Sequence, residues 1–172
     1  MPFTPFHMGL ACPVKAVAGN GFSLMIFGLA QIAMDIQPLV HLLRGEGVIH
    51  GISHSYLGAT VIALIAVLTG RPLCNYLLNN WKPDPQQRFE SWLRGSPTIT
   101  WRTATITAFI ATYSHVLIDS MIHSDVLPFA PFSDRNPQLN VMSFDAMHIL
   151  CVGVGLLGIV GWMVVYAVET RA

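Results

Sequence analysis

The sequence predicts an all-α integral membrane protein, in which about four transmembrane helices follow a short N-terminal half-membrane helix. Hydrophobic residues make up 53% of the 172 residues and charged residues only 10%, whereas a soluble domain carries about 25% charged residues. The mean hydropathy is +0.55, and the apolar residues collect in long runs. At this length we expect one membrane domain over residues 1–172.

Four apolar segments reach the roughly 20 residues that a helix needs to cross a bilayer. They are approximately residues 22–43, 52–69, 101–122 and 146–168. The fourth segment is rich in glycine, which indicates close contact with a neighbouring helix. Residues 5–18 are apolar but too short to span, so we expect a half-membrane helix there. The turn at residues 19–21 would join it to the first span.

The connection between the second and third spans sets the expected orientation. Lysine and arginine outnumber acids in residues 71–100, and basic loops stay on the cytoplasmic side. We therefore predict a cytoplasmic basic loop over residues 71–100, with the C-terminus and Arg171 on the same side. The formal net charge is zero, so no nucleic-acid partner is expected, and membrane lipids are the expected surroundings.

Histidine and aspartate side chains gather at the predicted outer ends of the spans. Ionisable groups in a membrane segment are costly and mark functional sites, and His combined with Asp is typical of metal ligation. Because successive spans run in opposite directions, the topology brings these residues to one level. The set comprises Asp35, His41, His50, His54, His115, Asp119, His123, Asp145 and His148, and also His7 if the chain turns back at residues 19–21.

The spacing of these residues favours a metal site. His50 and His54 are four residues apart, and His115, Asp119 and His123 repeat that step, which places side chains on one face of a helix. A pair of imidazoles at this spacing can hold one cation. A carboxylate supplies another ligand or orients a ligating imidazole. Zinc is the first expectation, because it accepts mixed His and carboxylate ligands.

Structural roles are the alternative for the same residues. The set Asp35, His54, His115 and Asp119 can instead form a fully hydrogen-bonded polar network without a metal. A single membrane histidine such as His41 can serve as a hydrogen bond between helices.

Helix ends and turns offer further structural roles. His50 and Asp145 can lie at helix ends that water reaches, and either Asp145 or Ser143 can cap the fourth helix. Asp125 lies in a Pro-rich connection, where aspartate is an ordinary turn residue.

Three blocks of the sequence resemble a family of predicted inner-membrane metal-dependent hydrolases. They are the opening MPFTPFHMG at residues 1–9, HGISHSYLGAT at residues 50–60, and SHVLIDSMIHSD at residues 114–125, which continues through residues 127–134. The resemblance implies a bacterial-type inner (plasma) membrane location and a metal-dependent hydrolase. The metal ligands that it implies are His7, Asp35, His54, His115 and Asp119.

Two departures from the family pattern bear on the number of cations. Family members often carry a second acid close to the aspartate of the first span, and here Gln37 precedes Pro38 instead. The first histidine of the second block is often followed by arginine, and here Gly51 follows His50. One cation site is therefore expected, and the pattern does not support a second.

The favoured function is metal-dependent hydrolysis of an ester or phosphoester, with a lipid-like substrate expected at a membrane-level site. His123 or Asp125 would act as the general base, because neither needs to be fully desolvated. The alternative is an accessory subunit of a larger membrane complex that keeps the fold. Ion or proton transfer is less favoured, because a conduction path needs ionisable residues distributed across the membrane.

Overall fold

The computed structural model describes residues 4–84 and 86–170, and this part of the chain is helical and contains no β-strand. Residues 1–3 of the first family-like block, and Arg171, lie outside the described residues. The helices are α1 Thr4–His7, α2 Ala11–Ala18, α3 Leu24–Leu43, α4 Tyr56–Ile65, α5 Arg71–Asn80, α6 Arg88–Arg94, α7 Trp101–Ile122 and α8 Phe144–Glu169.

Four of these units are long and apolar enough to cross a membrane, which confirms the predicted fold class. They are α3, the continuous α4–α5 unit Tyr56–Asn80, α7 and α8. The N-terminal segment is helical from Thr4 to Ala18, with the 3-10 turn Met8–Leu10 between α1 and α2. A second 3-10 turn, Gly19–Gly21, follows α2 at the turn expected from the sequence.

The second membrane helix is longer than the sequence indicated. The π turn Ala66–Gly70 connects α4 to α5, so the helix continues through Arg71 to Asn80. Pro72 is the second residue after this π turn, where the regular hydrogen-bond ladder is already interrupted, so it does not end the helix. The connection to α7 therefore begins after Asn80, and it contains the short helix α6.

Side-chain caps fix where the helices begin. Ser23, Ser55, Thr100 and Ser143 each accept a hydrogen bond from a backbone N–H in the first turn of the following helix. Of the two alternatives for α8, Ser143 is the cap, and Asp145 lies exposed in the first turn.

The N-terminal helical segment packs closely on α8 through glycines. A Cβ atom on Gly9 would lie 2.2 Å from the backbone oxygen of Cys151, and one on Gly158 would lie 2.4 Å from the Pro13 nitrogen. Only residues without a side chain allow this approach. Gly153 faces open space and takes no part. This packing holds α1 and its last residue, His7, against the other helices.

Helix α7 is the central element of the bundle, and it packs against α3 and α4. Ala104, Ala108 and Ala111 are fully buried along it and let these helices approach closely. Farther along α7 the buried side chains become polar, with His115 and Asp119 at 0% and 2% exposure. The protein therefore buries its ionisable groups at one end of α7, next to the end of α3 and the start of α4.

Candidate metal centre

Four side chains from three segments meet at this end of the bundle. His115 and Asp119 lie one turn apart on α7, Asp35 lies on α3, and His54 ends the 3-10 turn Ile52–His54. One ligand atom from each lies within 4.8 Å of the others. His54, His115 and Asp119 are buried, and the Asp35 side chain is 25% exposed. We call these four residues the Asp35 cluster.

The spacing inside the Asp35 cluster fits a metal ion. Ligand atoms around a tetrahedral zinc ion with bonds of about 2.0–2.1 Å lie about 3.3–3.4 Å apart. Nε2 of His54 and Nε2 of His115 are 3.2 Å apart, and each lies 3.2 Å from Asp119 Oδ2. Asp35 Oδ1 lies 3.3 Å from His115 Nε2 and 3.9 Å from His54 Nε2. Two imidazoles and two carboxylates also match zinc in ligand type.

Gln31 fixes the orientation of His115. Its Nε2 donates to the backbone oxygen of Ala111 at 3.2 Å, so its Oε1 faces His115 Nδ1. His115 Nδ1 therefore carries a proton and donates it to Gln31, which leaves the Nε2 lone pair directed into the Asp35 cluster. A hydrogen bond to the outer ring nitrogen is the usual support of a metal-binding histidine.

This orientation leaves a negative environment around His115 Nε2. Two carboxylate oxygens and a second imidazole nitrogen lie within 3.3 Å of it. A lone pair surrounded in this way needs a compensating positive charge, which either a metal cation or an added proton supplies. Gln31 was not among the predicted site residues, although its position four residues before Asp35 places both on one face of α3.

The turn that carries His54 is held by two polar neighbours. Ser53 Oγ lies 3.0 Å from His54 Nδ1, and the Ser53 backbone N–H donates to Gln37 Oε1 at 2.9 Å. A Cβ atom on Gly51 would lie 2.2 Å from Gln37 Nε2. The two departures from the family pattern, Gln37 and Gly51, are therefore in contact, and the missing side chain at one makes room for the amide at the other.

His7 lies beside Asp119 and His115. Its Nε2 is 3.5 Å from Asp119 Oδ1, and its ring centroid is 4.4 Å from that of His115. The ring is 1% exposed, and within the described residues neither ring nitrogen has a hydrogen-bond partner, nor does Asp119 Oδ1. The expected ligand His7 is thus close to the Asp35 cluster, and its Nε2 lies nearest the Asp119 oxygen that has no hydrogen-bond partner among the described residues.

His50, His123 and Asp125 form a second group that can hold a metal ion, with ligand atoms within 4.8 Å of one another. Asp125 Oδ2 accepts the backbone N–H groups of Ile49 and His50 at 3.1 and 3.0 Å, and Oδ1 lies 2.9 Å from His50 Nδ1. The His50 ring also contacts the rings of His123 and His54, with centroids 4.5 and 4.8 Å away. The second group therefore adjoins the Asp35 cluster.

The charge states of Asp125 and His123 follow from their surroundings. Partial burial acts to raise the pKa of Asp125, but the hydrogen bonds from His50 and Ile49 outweigh it and lower this pKa to about 2. Burial lowers the pKa of His123 to about 4, so its ring is neutral at neutral pH. The Nε2 atom of His123 is buried without a partner among the described residues.

The prediction that His50 shares a helix face with His54, and His123 with Asp119, was wrong. The His50 ring nevertheless contacts the rings of His54 and His123. His50 lies in an irregular segment before the 3-10 turn, so His50 and His54 do not share a helix face. His123 is the C-cap of α7, with extended backbone angles, and its ring joins His50 instead of continuing the line of His115 and Asp119.

Three of the residues expected at this level lie outside both groups. His41 Nε2 is 3.7 Å from Glu46 Oε2. His148 Nδ1 bonds the backbone oxygen of Phe144, and its ring packs on Phe6. Asp145 is exposed.

Comparison with known proteins identifies the family. No curated protein and no solved structure matches the chain. Residues 10–171 match the family described as YdjM inner membrane protein. That description gives a location and no reaction, and it agrees with the four helices that can cross a membrane. The chain therefore belongs to the YdjM inner membrane protein family and is an integral inner membrane protein.

Proposed function

We propose that this protein is a membrane-embedded metal-dependent hydrolase that acts on an ester or phosphoester. The observation that carries the proposal is the spacing of the Asp35 cluster, whose two imidazoles and two carboxylates match a tetrahedral cation site. His54, His115 and Asp119 would hold the cation, with zinc the expected metal, and His7 would support Asp119. Asp35, whose side chain is 25% exposed, would lie at the position that water or substrate must reach. A bound zinc ion supplies Lewis acidity, which polarises an ester or phosphoryl oxygen and acidifies water.

The second group offers a means of moving protons beside that site. Asp125 accepts three hydrogen bonds, so it is suited to orienting His50 rather than to taking a proton itself. His123 is neutral at neutral pH, and its Nε2 atom has no hydrogen-bond partner among the described residues. Of the two expected general bases, the surroundings favour His123 as the proton acceptor, with Asp125 as a positioning residue.

The surface next to His54 favours a substrate with an apolar chain. A groove of about 360 Å³ lies along the start of α4 beside Gln37 of α3, and its walls are almost wholly apolar. Gln37 and Ser53, which support the His54 turn, lie at its polar end. A molecule whose chain lies in this groove would place its polar linkage beside Gln37 and Ser53, next to the turn that carries His54. We therefore propose an amphiphilic or lipid-like substrate.

Turnover of short-chain phospholipids and carboxylic esters by the purified full-length protein tests the proposal. We expect zinc-dependent hydrolysis that a chelator abolishes and added zinc restores. Asp119→Asn should lower turnover at least 100-fold, because removing a metal ligand removes the catalyst with it. His41→Ala is the matched control, since His41 lies outside both groups. Equal turnover by Asp119→Asn and the wild type would refute the proposal, and so would activity that persists in the chelator.

A second candidate function, an accessory subunit of a larger membrane complex, is supported by helix α8. Only 17% of an 18-residue apolar stretch of this helix is buried inside the protein, against 50% for the corresponding stretch of α7. A partner helix could cover that face. If so, the protein should co-purify with another membrane protein in fixed stoichiometry, and His54→Ala should leave the activity of that complex unchanged. Purification as a single species with no partner would contradict this candidate.

A further inference from the structure

A pocket of about 210 Å³ lies at the opposite end of the bundle from the Asp35 cluster. It is formed by the turn between α2 and α3, the C-terminal ends of α5 and α6, and the beginning of α7. Phe22, Leu24, Leu78 and Leu93 give it apolar walls, and Trp81 stands at the end of α5. Helix ends and tryptophan are typical of the membrane–water interface.

Two half-buried cations line this pocket, Lys15 and Arg94. Lys15 Nζ donates to the backbone oxygens of Gly19 and Phe22 at 2.8 and 3.1 Å. Arg94 donates from Nε and Nη2 to the Leu78 oxygen at 3.3 and 3.0 Å. An ammonium has three donors and a guanidinium has five, so each side chain keeps unused donors. Among the described residues no carboxylate lies within 4.0 Å of either cation.

The surrounding end of the protein is also positively charged. Its three acids are engaged: Asp84 accepts the Gln86 backbone N–H, Glu90 accepts the Asp84 backbone N–H, and Glu169 accepts the Trp92 indole N–H. Among the described residues, six lysines and arginines outnumber the three acids at this end, and the cations are Lys15, Arg71, Lys82, Arg88, Arg94 and Arg102. An anion from outside the protein would therefore be attracted to this end.

We propose that this pocket binds the headgroup of an anionic phospholipid. Lys15 and Arg94 hold the phosphate, and an acyl chain lies along Phe22, Leu24 and Leu78. Three features select a lipid over a free anion: the apolar walls, the interfacial Trp81 and the position of the pocket at the ends of membrane helices. The proposal does not depend on the hydrolase function, because the pocket shares no residue with the Asp35 cluster or with the second group.

Native mass spectrometry of the full-length protein in detergent tests the proposal. Phosphatidylglycerol and phosphatidylcholine are titrated separately onto the wild type, Lys15→Gln, Arg94→Gln and the double variant. An interfacial Lys or Arg contributes about 1 kcal/mol to the binding of anionic lipid, so the double variant should bind phosphatidylglycerol about thirtyfold more weakly. Glutamine at residue 15 can still donate to a carbonyl, which keeps the turn after α2 supported.

Arg88→Gln is the matched control, because Arg88 is exposed at the same end and does not line the pocket. We expect it to bind phosphatidylglycerol within about twofold of the wild type. An equal loss in Arg88→Gln and the pocket variants would overturn the proposal in favour of diffuse charge attraction. Unchanged binding in the double variant, or equal affinity of the wild type for phosphatidylcholine, would also overturn it. Complete displacement of the lipid by millimolar inorganic phosphate would point to a free-anion site instead. Metal content should be the same in all these proteins, which separates this test from that of the hydrolase.

Discussion

Replacing Gln31 by leucine tests whether Gln31 orients His115 in the candidate metal centre. Leucine has a similar volume, but it cannot accept the proton of His115 Nδ1 and cannot donate to the Ala111 oxygen. The buried His115 ring then loses the contact that keeps its Nε2 lone pair directed into the Asp35 cluster. Gln31→Leu should therefore weaken metal binding without removing any ligand atom.

Two independent routes give a similar size for this effect. Loss of a supporting hydrogen bond typically costs 10- to 100-fold in metal affinity, which corresponds to about 1.4–2.8 kcal/mol. Leaving a buried donor such as His115 Nδ1 without a partner costs about 1–3 kcal/mol. We therefore expect the zinc dissociation constant of Gln31→Leu to rise about 10- to 100-fold. Gln31→Glu keeps an oxygen that can accept from Nδ1, so it should bind zinc more tightly than Gln31→Leu does.

Competition against a chromophoric chelator measures the zinc dissociation constants of the wild type, Gln31→Leu and Gln31→Glu in the same detergent. Far-UV circular dichroism establishes that each variant is folded at the temperature of the titration. If folded Gln31→Leu binds zinc as tightly as the wild type, Gln31 does not orient His115 and the reasoning fails.

Two further predictions concern packing and the second group. Gly158→Ala places a Cβ atom 2.4 Å from Pro13 and should destabilise the protein by about 1–3 kcal/mol. The expected result is a lower melting temperature of the protein in detergent. Gly153→Ala on the same helix is the control, because a Cβ atom there meets open space. Equal melting temperatures of the two variants would contradict the close packing of Gly158 against Pro13. Asp125→Ala removes the acceptor of the Ile49 and His50 amides and should cost about 1–3 kcal/mol. Hydrogen–deuterium exchange at those two amides should rise in Asp125→Ala, and unchanged protection would show that the carboxylate does not hold this segment.

Hydropathy was enough to predict the four membrane helices, because each must present a long apolar surface whatever its neighbours are. It failed at the end of the second one. Residues 71–80 are polar enough to be taken for a loop, and Arg71-Pro72 has the form of a helix stop. The helix continues because the π turn Ala66–Gly70 absorbs the irregularity, and Arg71 and Asn75 both donate to the Ile99 oxygen. Contacts of this kind depend on distant residues and leave no local pattern.

The gathering of His and Asp was predictable for a different reason. Alternating helix direction decides which ends of the spans meet, so the level shared by Asp35, His54, His115 and Asp119 follows from topology alone. The side-chain arrangement did not follow from spacing. The assumption that residues four apart share a helix face holds for His115 and Asp119, and it fails for His50 because α4 begins only at Tyr56.

Metal content by elemental mass spectrometry tests the metal centre most directly. The wild type, His115→Ala, Asp119→Ala and the control His41→Ala are purified without chelator and measured side by side. We predict one divalent cation per chain in the wild type and in His41→Ala, and its loss in His115→Ala and Asp119→Ala. A wild type without stoichiometric metal, or a cation retained in both cluster variants, would contradict the metal centre and leave the four side chains as a structural polar network.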